Sequence, residues 1–354
     1  MVPVPVVDLS RRTRRHAPAF AEVVERVTAS GQVLLGPELT GLEDDLAVWS
    51  GRRHALGVAS GAAAIQLILA GLGLGPGDEV LVPAFTAVPT AAAVCAVGAT
   101  PVFVDVDAST AAVDPSSWAA ARTARTRAII VVHLYGRAAE LPDIDLPVIE
   151  DAAQAHGALD PSARRGLAIA WSFYPTKNLG GIGDGGAVTT DDDALMATIR
   201  TLRVHGMTEQ YVHVARSQNF RMSDLEAGWL RLVLPHLSAD NDRRRAVTAA
   251  YRQAAPGLVW HADHPRHVHH LAVFRSAMRD ETRRVLAEAG VSTAIHYPLA
   301  LTHQPAYRAL TRTACPQAEA WAAECVTVPC FAEMTDDEVS RVADALAALP
   351  GAAA

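Results

Sequence analysis

The chain has 354 residues, 50% of them hydrophobic and 19% charged, so it is long enough for two domains and rich enough in apolar surface for a large core. That balance excludes intrinsic disorder, and a net charge of −7 excludes a surface built for nucleic acid, which needs a clustered basic excess. The four cysteines, Cys95, Cys315, Cys325 and Cys330, form neither a CxxC pair nor a disulfide framework, and a reduced, cytoplasmic protein is expected.

The stretch to Leu9 is short and proline-broken, so no secretory leader is expected, and Arg11, Arg12, Arg14 and Arg15 beyond it read as a solvated face. Ser60 precedes an apolar helical run over Ala62–Leu72, which Gly73–Gly77 ends, with Pro76 and Asp78 marking a turn. Val80–Val104 carries no charge, yet Pro83, Pro89, Gly98 and Pro101 divide it, predicting a buried β–α–β unit rather than a membrane span. Short buried strands are predicted at Val80–Val82, Pro101–Asp105, Ala128–His133, Pro147–Glu150 and Trp171–Tyr174. A glycine-rich loop then leads to a further strand at Ala187–Thr190, with helices over Asp193–Val204 and Asp224–Ala255. Thr335-x-x-Glu338 is a capping box that opens a final amphipathic helix. The alternation is an α/β signature. It predicts a larger domain over residues 1–239, with an N-terminal arm to about residue 15, and a smaller domain over 240–354.

Of the 31 basic residues a single one, Lys177, is lysine. Arginine replaces lysine wherever only positive charge is needed, but not where an amine must lose its proton and attack a carbonyl. Lys177 follows a predicted strand within SFYPTKNLGGIGDGG (172–186), where glycines let the backbone approach a ligand closely. Asp151, in EDAAQAHG (150–157), is expected beyond the carboxyl end of a strand, where ligands bind in open α/β sheets. An acid there holds a pyridinium proton, and a plain helix N-cap is an equal reading of the same residue. Gln154 and His156 lie on the same turn, within reach of a ring substituent. Ser60 and Gly61 open a helix whose free N–H groups suit an anion, and Ser172 adds a hydroxyl five residues before the lysine.

Other signals are set aside. Gly181-x-Gly183-x-x-Gly186 leads into a strand rather than a helix and so fails as a dinucleotide fingerprint. Asp105-Val106-Asp107 reads as a strand end and turn. His261, His264, His267, His269 and His270 have no i,i+4 pair on an evident helix and no cysteine partner, so no metal is expected.

The ordered motifs LLGPE (34–38), SGAAAIQL (60–67), GPGDEVLVPAFTAVPT (75–90), GATPVFVDVD (98–107), EDAAQAHG, the lysine loop, NFRMSDLEAG (219–228) and HYP (296–298) carry a resemblance. The chain resembles the DegT/DnrJ/EryC1/StrS family of pyridoxal-phosphate aminotransferases, which act on keto sugars and cyclitols. The resemblance implies the aspartate-aminotransferase fold (fold type I), a mostly parallel mixed sheet plus a small C-terminal α+β domain, and a homodimer with shared active sites. It implies that Lys177 bonds the cofactor pyridoxal 5′-phosphate, Asp151 pairs with its ring nitrogen and Gln154 lies by its hydroxyl. Gly61, Ala62 and Ser172 would hold the phosphate, with Asn219 reaching it from the partner subunit. His205, Arg221, His296, Tyr297 and His303 are substrate-side candidates. The implied reaction moves an amino group from glutamate or glutamine to a nucleotide-linked 3-keto or 4-keto deoxysugar, with a keto-cyclitol next and a non-catalytic regulatory member as a further alternative. A dehydratase is disfavoured, since those members replace the lysine with histidine. Two positions depart from the family: Ala62 stands where threonine is common, and Ala87 where an aromatic ring usually stacks on the cofactor, a loss that Phe85 is a candidate to offset. The Gly157–Trp171 segment also lacks the usual acidic step.

Overall fold

Runs of Val, Ile and Ala buried on both faces are what a parallel sheet covered by helices demands. In the computed structural model, which describes all residues except Met1, Arg164 and Ala354, such runs form seven strands. These are β1 (His54–Val58), β2 (Glu79–Pro83), β3 (Thr100–Val104), β4 (Thr126–Val132), β5 (Val148–Asp151), β6 (Ala168–Ser172) and β7 (Gly186–Thr190). Their order is β1-β7-β6-β5-β4-β2-β3, and β2 to β6 pair in parallel. Only β7 runs against its neighbours, β6 and β1. Helix Val88–Ala96 joins β2 to β3, so the uncharged stretch is the β–α–β unit expected of it, and no helix among the described residues is long and apolar enough to cross a membrane.

An exposed hairpin, β8 (Met207–Glu209) and β9 (Val212–His213), follows, and an antiparallel sheet of β10 (Val259–Trp260), β11 (Ala272–Arg275) and β12 (Cys325–Val328) lies further along. The capping box at Thr335 and Glu338 is present, opening helix Asp336–Ala347.

Three features differ from the sequence reading. The predicted helix over Asp224–Ala255 is two, Asp224–Val233 and Leu237–Ala254, separated at Pro235, whose ring and missing N–H interrupt an α-helix. The expected arm to residue 15 runs into a helix from Leu9: Asp8 caps Leu9–Ser30 by accepting the Ser10 N–H. The proposed division at residue 240 falls inside helix Leu237–Ala254, and residues beyond it, Leu301, Ala318 and Trp321, are buried in the same core as the β2 and β4 side chains.

Candidate active site

Strand β6 ends at Ser172, and the chain then turns tightly: the Lys177 N–H donates to the Tyr174 carbonyl and the Gly181 N–H to that of Phe173. Gly180 is required in this turn, because a Cβ there would lie 2.3 Å from the Pro175 carbonyl oxygen. Arg12, read from the sequence as solvated, is instead buried and donates to the carbonyls of Pro175 and Lys177, with Glu333 at 3.7 Å. The first helix therefore clamps the lysine turn, and Arg11 beside it is paired with Glu338. The neighbouring Asn178 is buried; its amide donates to the Asn241 side chain and the Val268 carbonyl. The Lys177 side chain is only partly covered, yet the dense packing around its amine pushes it down to about 8, while the Asp151 carboxylate nearby acts in the opposite sense.

Asp151 is buried at the carboxyl end of β5, where the sheet topology was expected to put it. Its Oδ2 accepts the Thr90 hydroxyl at 2.8 Å and its Oδ1 the Ala153 N–H at 3.1 Å. It is no helix N-cap. Gln154 is fixed by two bonds: Oε1 accepts the Tyr135 N–H and Nε2 donates to the Tyr297 hydroxyl, each at 2.6 Å. A backbone N–H can only donate, so the amide orientation is determined. His156, expected on the same face, turns into the core among Trp49, Trp171 and Phe173, where burial pushes its imidazole down to about 3 and keeps it neutral.

Ser60 caps helix Gly61–Gly71 by accepting the Ala63 N–H at 3.1 Å, which leaves the first-turn amides of Gly61 and Ala62 without intrahelical partners. The helix start lies hard against the ends of β6 and β7. A Cβ on Gly61 would stand 2.7 Å from Ser172 Cβ, and one on Gly186 would stand 2.3 Å from the Ser60 carbonyl carbon. Gly61→Ala is therefore expected to destabilise the cofactor-free chain by about 1–3 kcal/mol through overpacking, and to weaken cofactor retention. Urea unfolding and a cofactor titration check both.

The substrate-side candidates divide. Tyr297 touches Gln154, and His296 Nδ1 lies 2.8 Å from the Thr327 hydroxyl; burial and the Lys177 charge push the His296 ring down to about 4. His303 is exposed, with its Nδ1 3.8 Å from a Glu319 carboxylate oxygen and 3.4 Å from the Thr302 hydroxyl. No hydrogen bond or ion pair among the described residues joins His205, Asn219 or Arg221 to Lys177. His205 is exposed at the base of the β8–β9 hairpin, and Asn219 accepts from the backbone and side chain of Arg221. Ala87 caps helix Val88–Ala96, and Phe85 is fully buried against Tyr135, Tyr297 and Trp321, so it belongs to the core and does not replace the missing stacking ring. The roles of Thr90, Asn178, Asn241 and Arg12 went unread in the sequence, because only their partners in the fold reveal them.

A family model described as the DegT/DnrJ/EryC1/StrS aminotransferase family matches residues 15–347. The chain belongs to that family. It is 38% identical to the pleiotropic regulatory protein of Geobacillus stearothermophilus, over 97% of this chain and 98% of the relative. It is 39% identical to the dTDP-3-amino-3,4,6-trideoxy-alpha-D-glucose transaminase of Streptomyces venezuelae, over 97% and 95%. The crystal structure of S. venezuelae DesV in complex with a ketimine intermediate superposes with a TM-score of 0.92 at 38% identity, covering 98% of each chain.

As a member of this aminotransferase family the chain is an enzyme that uses pyridoxal 5′-phosphate, and related solved structures carry that cofactor in its pyridoxal and pyridoxamine forms. The residues present fit the group: a desolvated amine, a buried carboxylate and a helix start closed so tightly that a Cβ would fill it. When bound, the cofactor supplies an electron-withdrawing ring that takes up carbanion charge.

Proposed function

We propose that the enzyme transfers an amino group from glutamate or glutamine to a nucleotide-linked 3-keto deoxysugar. The observation that carries the chemistry is the Lys177 amine, brought down to about 8 beside the buried Asp151 carboxylate. For the acceptor, support comes from relatives named for 3-amino products, in S. venezuelae and in Aneurinibacillus thermoaerophilus.

In this reading Lys177 holds the cofactor between turnovers, and its freed Nζ carries the proton between the donor carbon and the cofactor carbon. Asp151 holds the ring nitrogen protonated, oriented by Thr90 and the Ala153 N–H. The Gly61 and Ala62 amides and the Ser172 hydroxyl receive the phosphate, and Gln154, locked between Tyr135 and Tyr297, borders the ring. His296 and Tyr297 face the substrate.

The working unit in this reading is a cytoplasmic homodimer in which Asn219 serves the partner's phosphate site and His205 and Arg221 its substrate side. Its support is the exposed apolar run Val33, Leu34 and Leu35, together with exposed Tyr174 and Ile182 on the lysine loop. Residues 1–239 act as the cofactor-binding domain and 240–354 as the smaller one.

A neutral amine is the reactive form. Capture of pyridoxal 5′-phosphate by the cofactor-free protein is therefore expected to accelerate as pH rises through about 8 and to level off above it, well below the range of an ordinary lysine. Stopped-flow absorbance between pH 6 and pH 10, values set by bracketing that midpoint, reads the profile.

The acceptor is tested by mixing pyridoxamine-loaded protein with a panel of nucleotide-linked 3-keto and 4-keto sugars and keto-cyclitols. Return of the pyridoxal spectrum with a 3-keto sugar supports the proposal; return with a keto-cyclitol alone overturns it.

A further inference from the structure

The histidines that the sequence reading set aside converge. We propose that Asp263, His267 and His269 form a binding site for one divalent first-row transition-metal ion of the zinc class, separate from the cofactor pocket. Asp263 Oδ1 lies 3.5 Å from His267 Nδ1 and 3.6 Å from His269 Nε2, and the three donor atoms all fall within 4.8 Å of one another. Ligand bonds of about 2.0–2.1 Å in a tetrahedron place donor atoms about 3.3 Å apart, so the two Asp263 separations need to close by only a few tenths of an ångström, and the histidine pair by at most about 1.5 Å.

Hydrogen bonding points the same way. His267 Nε2 lies 3.2 Å from the Tyr135 carbonyl oxygen, which can only accept, so the ring proton belongs on Nε2. That leaves His267 Nδ1 with a bare lone pair, 98% of the residue buried, without a hydrogen-bond partner and facing a carboxylate oxygen. Two acceptors opposed at 3.5 Å repel unless a cation lies between them or the ring itself is charged. The carbonyl behind His267 is the outer partner that fixes the tautomer of a metal-bound histidine.

His269 is held beside His267 with ring centroids 3.8 Å apart. Asp263 is half exposed and gives an ion a path from solvent. Its Oδ1 also accepts the His264 N–H at 2.9 Å, while Arg252 lies 4.0 Å from the opposite oxygen, Oδ2, and leaves Oδ1 to the ion. His261 stacks edge-on to His267 with its Nε2 on the Thr110 carbonyl and its Nδ1 unpartnered, a third imidazole at the margin of the site. Such an ion would tie the 261–270 segment together behind the Tyr135 turn that orients Gln154.

The test uses chelator-stripped, cofactor-loaded protein titrated with cobalt(II) and then zinc. One equivalent of cobalt is expected to bind with the visible bands of a tetrahedral ion, to be displaced by zinc, and to raise the unfolding temperature. Asp263→Asn, at a half-exposed position whose loss leaves the core intact, and His269→Gln are each expected to weaken binding at least tenfold. Failure to take up cobalt, or uptake that both variants retain, overturns the proposal.

Discussion

Lys177→Arg is expected to remove turnover, lowering kcat by at least about 10²–10⁴-fold, the worth of a positioned proton-transfer group, before the lost covalent attachment is counted. The substitution keeps the positive charge near Asp151 and changes the side chain little in length. What it discards is the ability to be neutral: guanidinium stays protonated, whereas dense packing already brings the lysine down to about 8. Charge and chemistry are thereby separated. If the amine served only as a counter-charge to Asp151, the arginine enzyme would keep most of its rate. Borohydride reduction of the wild-type enzyme should tag the peptide containing Lys177, and the variant should take up no tag.

Asp151→Asn is expected to cost about 10²–10³ in kcat, the range for losing one preorganised electrostatic partner in a water-poor site. The asparagine keeps the shape: its amide oxygen can accept the Ala153 N–H now bound at 3.1 Å, and its NH2 can donate to the Thr90 hydroxyl, which accepts as well as donates. Folding should therefore survive while the carboxylate that keeps a ring nitrogen protonated is gone. Cofactor affinity should fall less than kcat, because the helix start at Gly61 and the Ser172 hydroxyl remain. A cofactor titration beside single-turnover measurements with glutamate distinguishes this from general unfolding. Thr90→Val should show a smaller effect in the same direction, since it frees one carboxylate oxygen without removing charge.

Much of this site was legible before any coordinates. Lys177 stood out because arginine can do everything a lysine does except attack a carbonyl, and this chain keeps a single lysine. Asp151 was legible because an acid directly after a buried strand has one place to go in an α/β sheet. The start of helix Gly61–Gly71 was legible from Ser60, and the close approach of Gly61 to Ser172 explains why that position lacks a side chain.

The sequence alone thus determined the alternation of elements and pointed to the amine, the acid and the helix start that the proposed reaction uses, because each depends on residue type and on neighbours within a few positions. Tertiary structure decided the rest. Arg12, 165 residues from the lysine whose carbonyl it holds, looked like a surface charge; Phe85 looked free to stack on a ring but lies in the core. Thr90 gained a role only once β5 lay beside its helix, and the histidines after residue 260 formed a cluster only when one chain turn folded His267 and His269 against Asp263. Local spacing carries no information about such partners, since hydrogen bonds and burial depend on where distant segments meet.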